Sequence, residues 1–427
     1  MKKKRRMKIV SALFLCFMIS MTLMNCGGGG GKAPSVAFSS IAVTPSNPTI
    51  TVGATQKFKA TGTNADGTTS DITMQATWSS SNTTVAKVIG SGLVTGVGAG
   101  NATITATAGS ISGSTTITSA VPISSTYPVG TNPASIAIDA SGNVWAANEG
   151  GNTVTELSSS GTLLGTFIVG INPHDIAIDT SGNVWVTNQG ALSVTELSHS
   201  GALLGTFIVG NSPRGIHIDA SGNVWVANEG GNTVTELSHS GTLLGTFSVG
   251  IGPESLTIDA SGHVWVTNFL NDTVTELSTS GTLVNTFTAM TGIGPWGLSI
   301  DSSGDVWVTN YSGISALGNT VTKLRSDGTV LGTFTVGSGP KGVEIDSAGN
   351  VWIANFGSAS VPGTTISELS SIGTLLNTFT VGNNPDGIAI DSTGNVWVTN
   401  NGSNSVTVLR GAATGPQFRP YLGPIWP

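Results

Sequence analysis

The sequence predicts an almost all-β chain: a seven-bladed β-propeller closed by an N-terminal strand, preceded by a small β-sandwich. Three observations lead there. Charged residues make up only 9% of 427 positions while glycine alone numbers 59, a balance that suits short strands and tight turns. No long stretch carries the three-to-four-residue apolar spacing of an amphipathic helix. The phrase "NPHDIAIDTSGNVWVTN" recurs in seven variants, with tryptophans Trp145, Trp185, Trp225, Trp265, Trp307, Trp352 and Trp397 spaced 40, 40, 40, 42, 45 and 45 apart.

Each repeat divides into four β segments, in the second repeat "DIAID", "NVWVTN", "SVTELS" and "LLGTFIVG". Four strands per repeat of this length make one propeller blade. The first two segments occur seven times, but the fourth, marked by Phe167, Phe207, Phe247, Phe287, Phe334 and Phe379, occurs six times. The missing copy stands at the front: "STYPVG" at 125–130 matches "GTFIVG" at 165–170. An N-terminal strand completing the last blade closes the ring and hides both sheet edges. The array is therefore placed at 123–410, with 411–427 as a tail.

Residues 38–119 read as short alternating runs broken by turn formers such as "NADG" and "GAG", the pattern of a small sandwich. Trp78 is its expected buried aromatic. Residues 1–26 combine a basic start, "MKKKRRMK", with an apolar run, "IVSALFLCFMISMTLM", the plan of an export signal. Residues 27–37 form a glycine-rich tether. Both cysteines, Cys16 and Cys26, fall in the leader, so no disulfide framework is expected and stability rests on packing. Without the leader, 10 basic residues face 23 acidic ones, a net charge of −13. This argues against a nucleic-acid partner.

The repeats can be compared with one another. The first turn of each blade ("DASGN", "DTSGN", "DSSGD") and the third ("SSSG", "SHSG", "STSG") are nearly fixed. The first-turn aspartates Asp139, Asp179, Asp219, Asp259, Asp301, Asp346 and Asp391 raise the question of calcium. An Asx-type turn with glycine supplying positive φ accounts for them more simply. His199 and His239, in third turns, and His263, in a first turn, are expected at the surface. The second turn ("EGGN", "QGAL", "FLND", "YSGISALGN") and the link between blades both vary. In an up-and-down blade these two lie on one face. The slot after the link proline holds Ala134, His174, Arg214, Glu254, Trp296, Lys341 and Asp386, and the residue after the following apolar position includes His217 and Glu344. A ring of His174, Arg214, His217, Glu254, Trp296, Lys341, Glu344 and Asp386 around one mouth is the candidate ligand site, since diversity carried on a rigid scaffold is where binding usually resides. The recurrent Trp and Phe residues are core instead.

Three resemblances add to this reading. "VTP", "TVGATQKFKATGT", "ATWSSSN" and "GLVTGVGAGNATITATAG" resemble the group 2 bacterial immunoglobulin-like domain, which implies a spacer or adhesion module. "LMNC" followed by "GGGGGK" resembles the lipobox of bacterial lipoproteins, with Leu23 and Cys26 in place and Asn25 departing from the small residue of that pattern. It implies lipidation at Cys26. The repeats resemble NHL-type propellers and, more narrowly, the streptogramin B lyases.

The lyase resemblance implies elimination in a cyclic peptide, with histidine and glutamate and a divalent metal, Mg2+ or another, at the mouth. On that reading His174 and His217 are the catalytic histidines, and His174, His217, Glu254 and Glu344 the metal ligands. The sequence departs from it where the lyases tend to end the second strand "WFTE": here stand Asn148, Asn188, Asn228, Asn268, Asn310, Asn355 and Asn400, neutral amides that make poor bases and weak ligands. The favoured expectation is a monomeric, non-catalytic lipoprotein at the outer membrane or cell surface, needing no cofactor and presenting the propeller to a glycan or protein. A periplasmic or secreted location and the metal-dependent lyase are the alternatives.

Overall fold

The computed structural model describes residues 38–120, 123–288, 294–313 and 316–414. The leader with Cys26, the tether and the tail beyond residue 414 lie outside them. Among the described residues no helix is long and apolar enough to cross a membrane.

The N-terminal unit packs short sheets around one core. Phe38–Thr44 pairs with Lys59–Asn64, and a four-stranded sheet runs in the order Thr49–Thr51, Ile111–Ala120, Gly100–Ala108, Thr77–Ser80. Alternation along Gly100–Ala108 and Ile111–Ala120 sends Ala102, Ile104, Ala106 and Ile117 inward, against Phe58, Ile72 and Trp78. Trp78 is core, and its indole N–H donates to the Thr73 carbonyl at 2.9 Å.

Seven four-stranded antiparallel sheets follow. Blades 1 to 6 begin with the innermost strands Pro133–Ile138, Pro173–Ile178, Pro213–Ile218, Pro253–Ile258, Pro295–Ile300 and Pro340–Ile345. Blade 7 contains Pro385–Ile390, Val396–Asn400 and Ser405–Arg410, and its outermost strand is the N-terminal Ile123–Pro128. That strand pairs in full with Ser405–Arg410, and the innermost strands of blades 1 and 7 touch. The ring is closed as predicted.

Between blades the recurrent aromatics form the core. Trp145 stacks on Phe167 with centroids 5.6 Å apart and packs on Ile176 and Val184 of the next blade. The first-turn aspartates are structural. Asp139 Oδ1 accepts the Ser141 and Asn143 backbone N–H groups at 2.9 and 2.8 Å, while Oδ2 accepts Trp145 Nε1–H at 3.3 Å. The same aspartate-to-tryptophan bond recurs in the other six blades. It ties each turn to the aromatic core, a link that the turn motif alone did not suggest.

The strand-ending asparagines are structural too. Each is buried to within about 1%. Asn188 Nδ2 donates to Ser193 Oγ and Thr195 Oγ1, and its Oδ1 accepts the Gly170 N–H at 3.0 Å. A Cβ on Gly170 would lie 2.5 Å from that amide, so the link glycine keeps the chain close to it. A carboxylate there could not donate to the two hydroxyls. The second turn then folds onto the link, as where Glu149 N–H donates to the Asn132 carbonyl. Both variable segments therefore share one face.

Candidate functional site

Two columns of side chains meet at that face. One is the slot after the link proline; the other is the residue after the strand-ending asparagine. The first brings together His174, Arg214, Glu254, Trp296, Lys341 and Asp386, six of the eight residues of the candidate ring. The second adds Glu149, Gln189, Glu229, Phe269, Tyr311 and Phe356. Sequence reading marked their turn as variable without singling out its first residue. The signal was present: position Asn+1 is polar in blades 1 to 3 and aromatic in blades 4 to 6.

The polar half centres on Arg214. Its Nε donates to Glu229 Oε2 and its Nη1 to Glu254 Oε1, each at 2.7 Å. Nη1 also faces His174 Nε2 at 3.2 Å. Gln189, with its amide turned to satisfy both groups, accepts from Arg214 Nε and Nη2 at 3.2 and 3.0 Å. Burial pushes the Glu254 carboxyl up to about 7 against the pull of Arg214. Burial, reinforced by the charges of Arg214 and Lys341, holds His174 well below the ordinary imidazole range. His174 is thus neutral, and its Nε2 lone pair is engaged by a guanidinium N–H. An imidazole so engaged is a poor general base.

The aromatic half encloses a second cation. Lys341 Nζ sits 3.6 Å from the Phe356 ring centroid and 4.6 Å from that of Trp296, geometry suited to cation–π attraction. It also donates to Asp386 Oδ2 at 2.8 Å. Lys341 is only 8% exposed. Phe269 meets Trp296 edge-on at 5.4 Å, Trp296 lies 4.8 Å from Tyr311, and Tyr311 lies 6.2 Å from Phe356. Four half-buried rings thus form an arc along the rim of blades 4 to 6. Burial and the nearby Asp386 raise the Glu149 carboxyl. Two cations face the carboxylates of Glu149, Glu229, Glu254 and Asp386, so the mouth carries an excess of acidic groups.

Below the rim lies a cavity of about 100 Å³, lined among others by His174, Asp175, Glu254, Trp296 and Asp386. That is room for several waters and below the volume of a drug-sized ligand pocket. Asp175 braces the wall: Ser135 Oγ donates to its Oδ1, and the Ile216 N–H donates to its Oδ2 at 3.0 Å.

His217 and Glu344 stand three positions further along their strands, opposite Trp225 and Trp352, and are not among the cavity-lining residues. The divalent metal implied by the lyase resemblance does not fit the residues at the mouth. His174 Nε2 and Glu254 Oε1 are 3.9 Å apart, but Arg214 Nη1 reaches both, so a fixed positive charge already lies where the ion would have to sit. His263 lies at the surface with a third of its side chain exposed, and its Nδ1 lies 2.6 Å from Glu276 Oε1.

Residues 37–119 match the model of the bacterial Ig-like domain (group 2), and residues 383–409 that of the NHL repeat. The chain superposes on virginiamycin B lyase from Staphylococcus aureus with a TM-score of 0.60 and 18% identity, over 67% of this chain and 99% of that one. It superposes on the WD40 β-propeller domain of Doa1 with a TM-score of 0.57 and 13% identity, over 67% and 96%. These likenesses are of fold. A 70-residue stretch is 53% identical to Ice-binding protein 1 of Shewanella frigidimarina (strain NCIMB 400), covering 16% of this chain and 8% of that protein. The match thus spans less than a tenth of that relative. The fold and these matches define a bacterial Ig-like domain followed by a seven-bladed β-propeller. More narrowly, the last blade matches the NHL repeat over residues 383–409, and the wheel shares the fold of the streptogramin B lyases.

Proposed function

We propose that the protein is a non-catalytic binding module, exported and held at the cell surface by a lipid on Cys26, with the Ig-like unit as spacer. The observation that carries this reading is the half-buried arc of Phe269, Trp296, Tyr311 and Phe356 beside an acidic rim. Aromatic faces bury large apolar area at fixed orientation, which suits stacking of a sugar ring or an apolar peptide side chain. The small cavity, the engaged His174 and the amides in place of carboxylates all favour binding over elimination. The stretch shared with an ice-binding protein also fits a surface binder.

Glycan and peptide arrays probed with the purified protein test this. A Phe269→Ala, Tyr311→Ala double variant is expected to lose at least tenfold affinity for any ligand found, while its melting temperature stays within a few degrees of wild type. A binder that the double variant still holds at full affinity would place recognition elsewhere. Lys341 is unsuited to such a test, because removing it strands Asp386. For the anchor, Cys26→Ser is expected to release the protein from the membrane fraction; a variant that stays bound would point to another attachment. For the lyase alternative, incubation with a streptogramin B-type cyclic peptide and Mg2+ is expected to give no ring opening.

A further inference from the structure

We infer a divalent-cation site on the opposite face of the wheel, in blade 4, formed by Asp259, His263 and Glu276 and suited to an ion of the zinc class. The argument starts from what the same three positions do in the other blades. In blade 2 they hold Asp179, Asn183 and Glu196, and Asn183 Nδ2 donates to Asp179 Oδ2 and Glu196 Oε1, each at 3.1 Å. One amide NH2 thus bridges two acids. Blades 1, 3 and 6 have the same residue types: Asp139, Asn143 and Glu156; Asp219, Asn223 and Glu236; Asp346, Asn350 and Glu368.

Blade 5 solves the same problem by exchanging partners. Its residues are Asp301, Asp305 and Lys323, and the Lys323 ammonium lies 2.9 and 3.1 Å from the two carboxylates. A positive charge takes the place of the bridging amide.

Blade 4 keeps both acids and replaces the amide with imidazole. His263 Nδ1 reaches Glu276 Oε1 at 2.6 Å. The two nitrogens of an imidazole point away from each other, so with Nδ1 on Glu276 the ring cannot bridge both carboxylates from one nitrogen as the amide NH2 does. Asp259 Oδ2 retains the Trp265 Nε1–H, at 3.0 Å. Asp259, His263 and Glu276 each present a ligand atom, and the three atoms lie within 4.8 Å of one another.

A zinc-class ion holds nitrogen and carboxylate ligands at about 2.0–2.2 Å, so small shifts of the three side chains, with His263 and Glu276 moving apart to admit the ion, complete the site. Two carboxylates balance the ion's charge, and one imidazole nitrogen favours a borderline metal over Ca2+ or Mg2+, which prefer all-oxygen shells. Water would fill the remaining position. The ligands come from the end of the innermost strand, the start of the second and the third. The ion would therefore clamp three strands of one blade, on the face away from the aromatic arc.

Titration calorimetry with Zn2+ on the full chain tests this, alongside His263→Asn, which installs the residue that blades 1, 2, 3, 6 and 7 already carry. Wild type is expected to bind one equivalent that His263→Asn lacks, with a Zn2+-dependent rise in melting temperature lost in parallel. Ca2+ and Mg2+ are expected to give neither signal. His174, His199, His217 and His239 are unchanged in both proteins, so zinc bound through them would appear equally in each. Equal stoichiometry in the two proteins, or none in wild type, would overturn the proposal. Should His263→Asn fold poorly, Glu276→Gln provides the same comparison.

Discussion

Lys341 and Asp386 share a place where water reaches little of either: their side chains are 10% and 13% exposed. Removing one partner strands the other in a poor solvent, at a cost of about 3–5 kcal/mol. Lys341→Met is expected to destabilise by that amount, and adding Asp386→Asn to recover part of it, as measured by urea unfolding of the double-mutant cycle. Additive losses would mean that the pair is not coupled. Glu368 offers a pH-dependent counterpart. Burial pushes its carboxyl from 4.5 to about 7, against an opposing hydrogen bond from Asn377 and with help from nearby Asp346. Because the folded value lies above the unfolded one, its contribution to stability is full below about pH 4.5 and is lost as pH rises through 7. Glu368→Gln keeps an acceptor for Asn377 and removes the ionisation. It is expected to match wild type at pH 4.5 and to exceed it at pH 8 by roughly 2–3 kcal/mol. An unchanged difference across that range would show that the carboxyl titrates normally.

At the scale of strands and turns, the sequence carried more about the scaffold than about the site. Seven copies of one phrase exposed the second-strand asparagine, the first-turn aspartate and the core aromatics, because packing forces the same solution seven times. The mouth is where the copies differ, so repetition marks its columns but cannot say which side chains meet. Pairing of Arg214 with Glu229 and Glu254 depends on the curvature of the ring, which no linear pattern records. The bond of His263 to Glu276 escapes a linear reading for a related reason: it crosses from one strand to another. Some blades also carry a hydroxyl staple. Thr267 Oγ1 accepts the Ser255 N–H at 3.1 Å and donates to the Trp296 carbonyl of the next blade at 2.6 Å; Thr187, Thr309 and Thr399 donate likewise to Arg214, Lys341 and Ala134. Ala147, Ala227 and Ala354 fill that position elsewhere, so the staple is dispensable to the fold and fixes chosen residues of the mouth. Thr267→Ala is expected to cost about 1–2 kcal/mol and to weaken ligand binding at the arc through the loosened Trp296. A variant of unchanged stability and affinity would remove the staple from the account.

For the whole molecule, the decisive contact is the closure of the ring. Ile123–Pro128 supplies the outermost strand of blade 7, some 280 residues ahead of its neighbour in the chain. Tyr127 takes the place of the recurrent Phe, stacking on Trp397 with centroids 6.2 Å apart, and its hydroxyl accepts from Arg410 Nη2 at 3.1 Å. Blades bury their cores against one another, so a loosened last blade exposes both its own inner face and that of blade 1. Unfolding of the wheel should therefore be one cooperative event governed by this seam. The Ig-like unit has a separate core around Phe58, Trp78 and Ile104 and need not follow. Calorimetry is expected to resolve two transitions, with Tyr127→Ala lowering that of the propeller by several degrees and leaving that of the Ig-like unit in place. Tyr127 is only half-buried, so the loss is expected to fall below the roughly 3 kcal/mol of a fully buried aromatic. If both transitions moved together, the two units would be coupled through contacts such as that of Thr51 Oγ1 with the Gly411 carbonyl. The spacer would then be a rigid arm that sets the direction in which the aromatic arc faces.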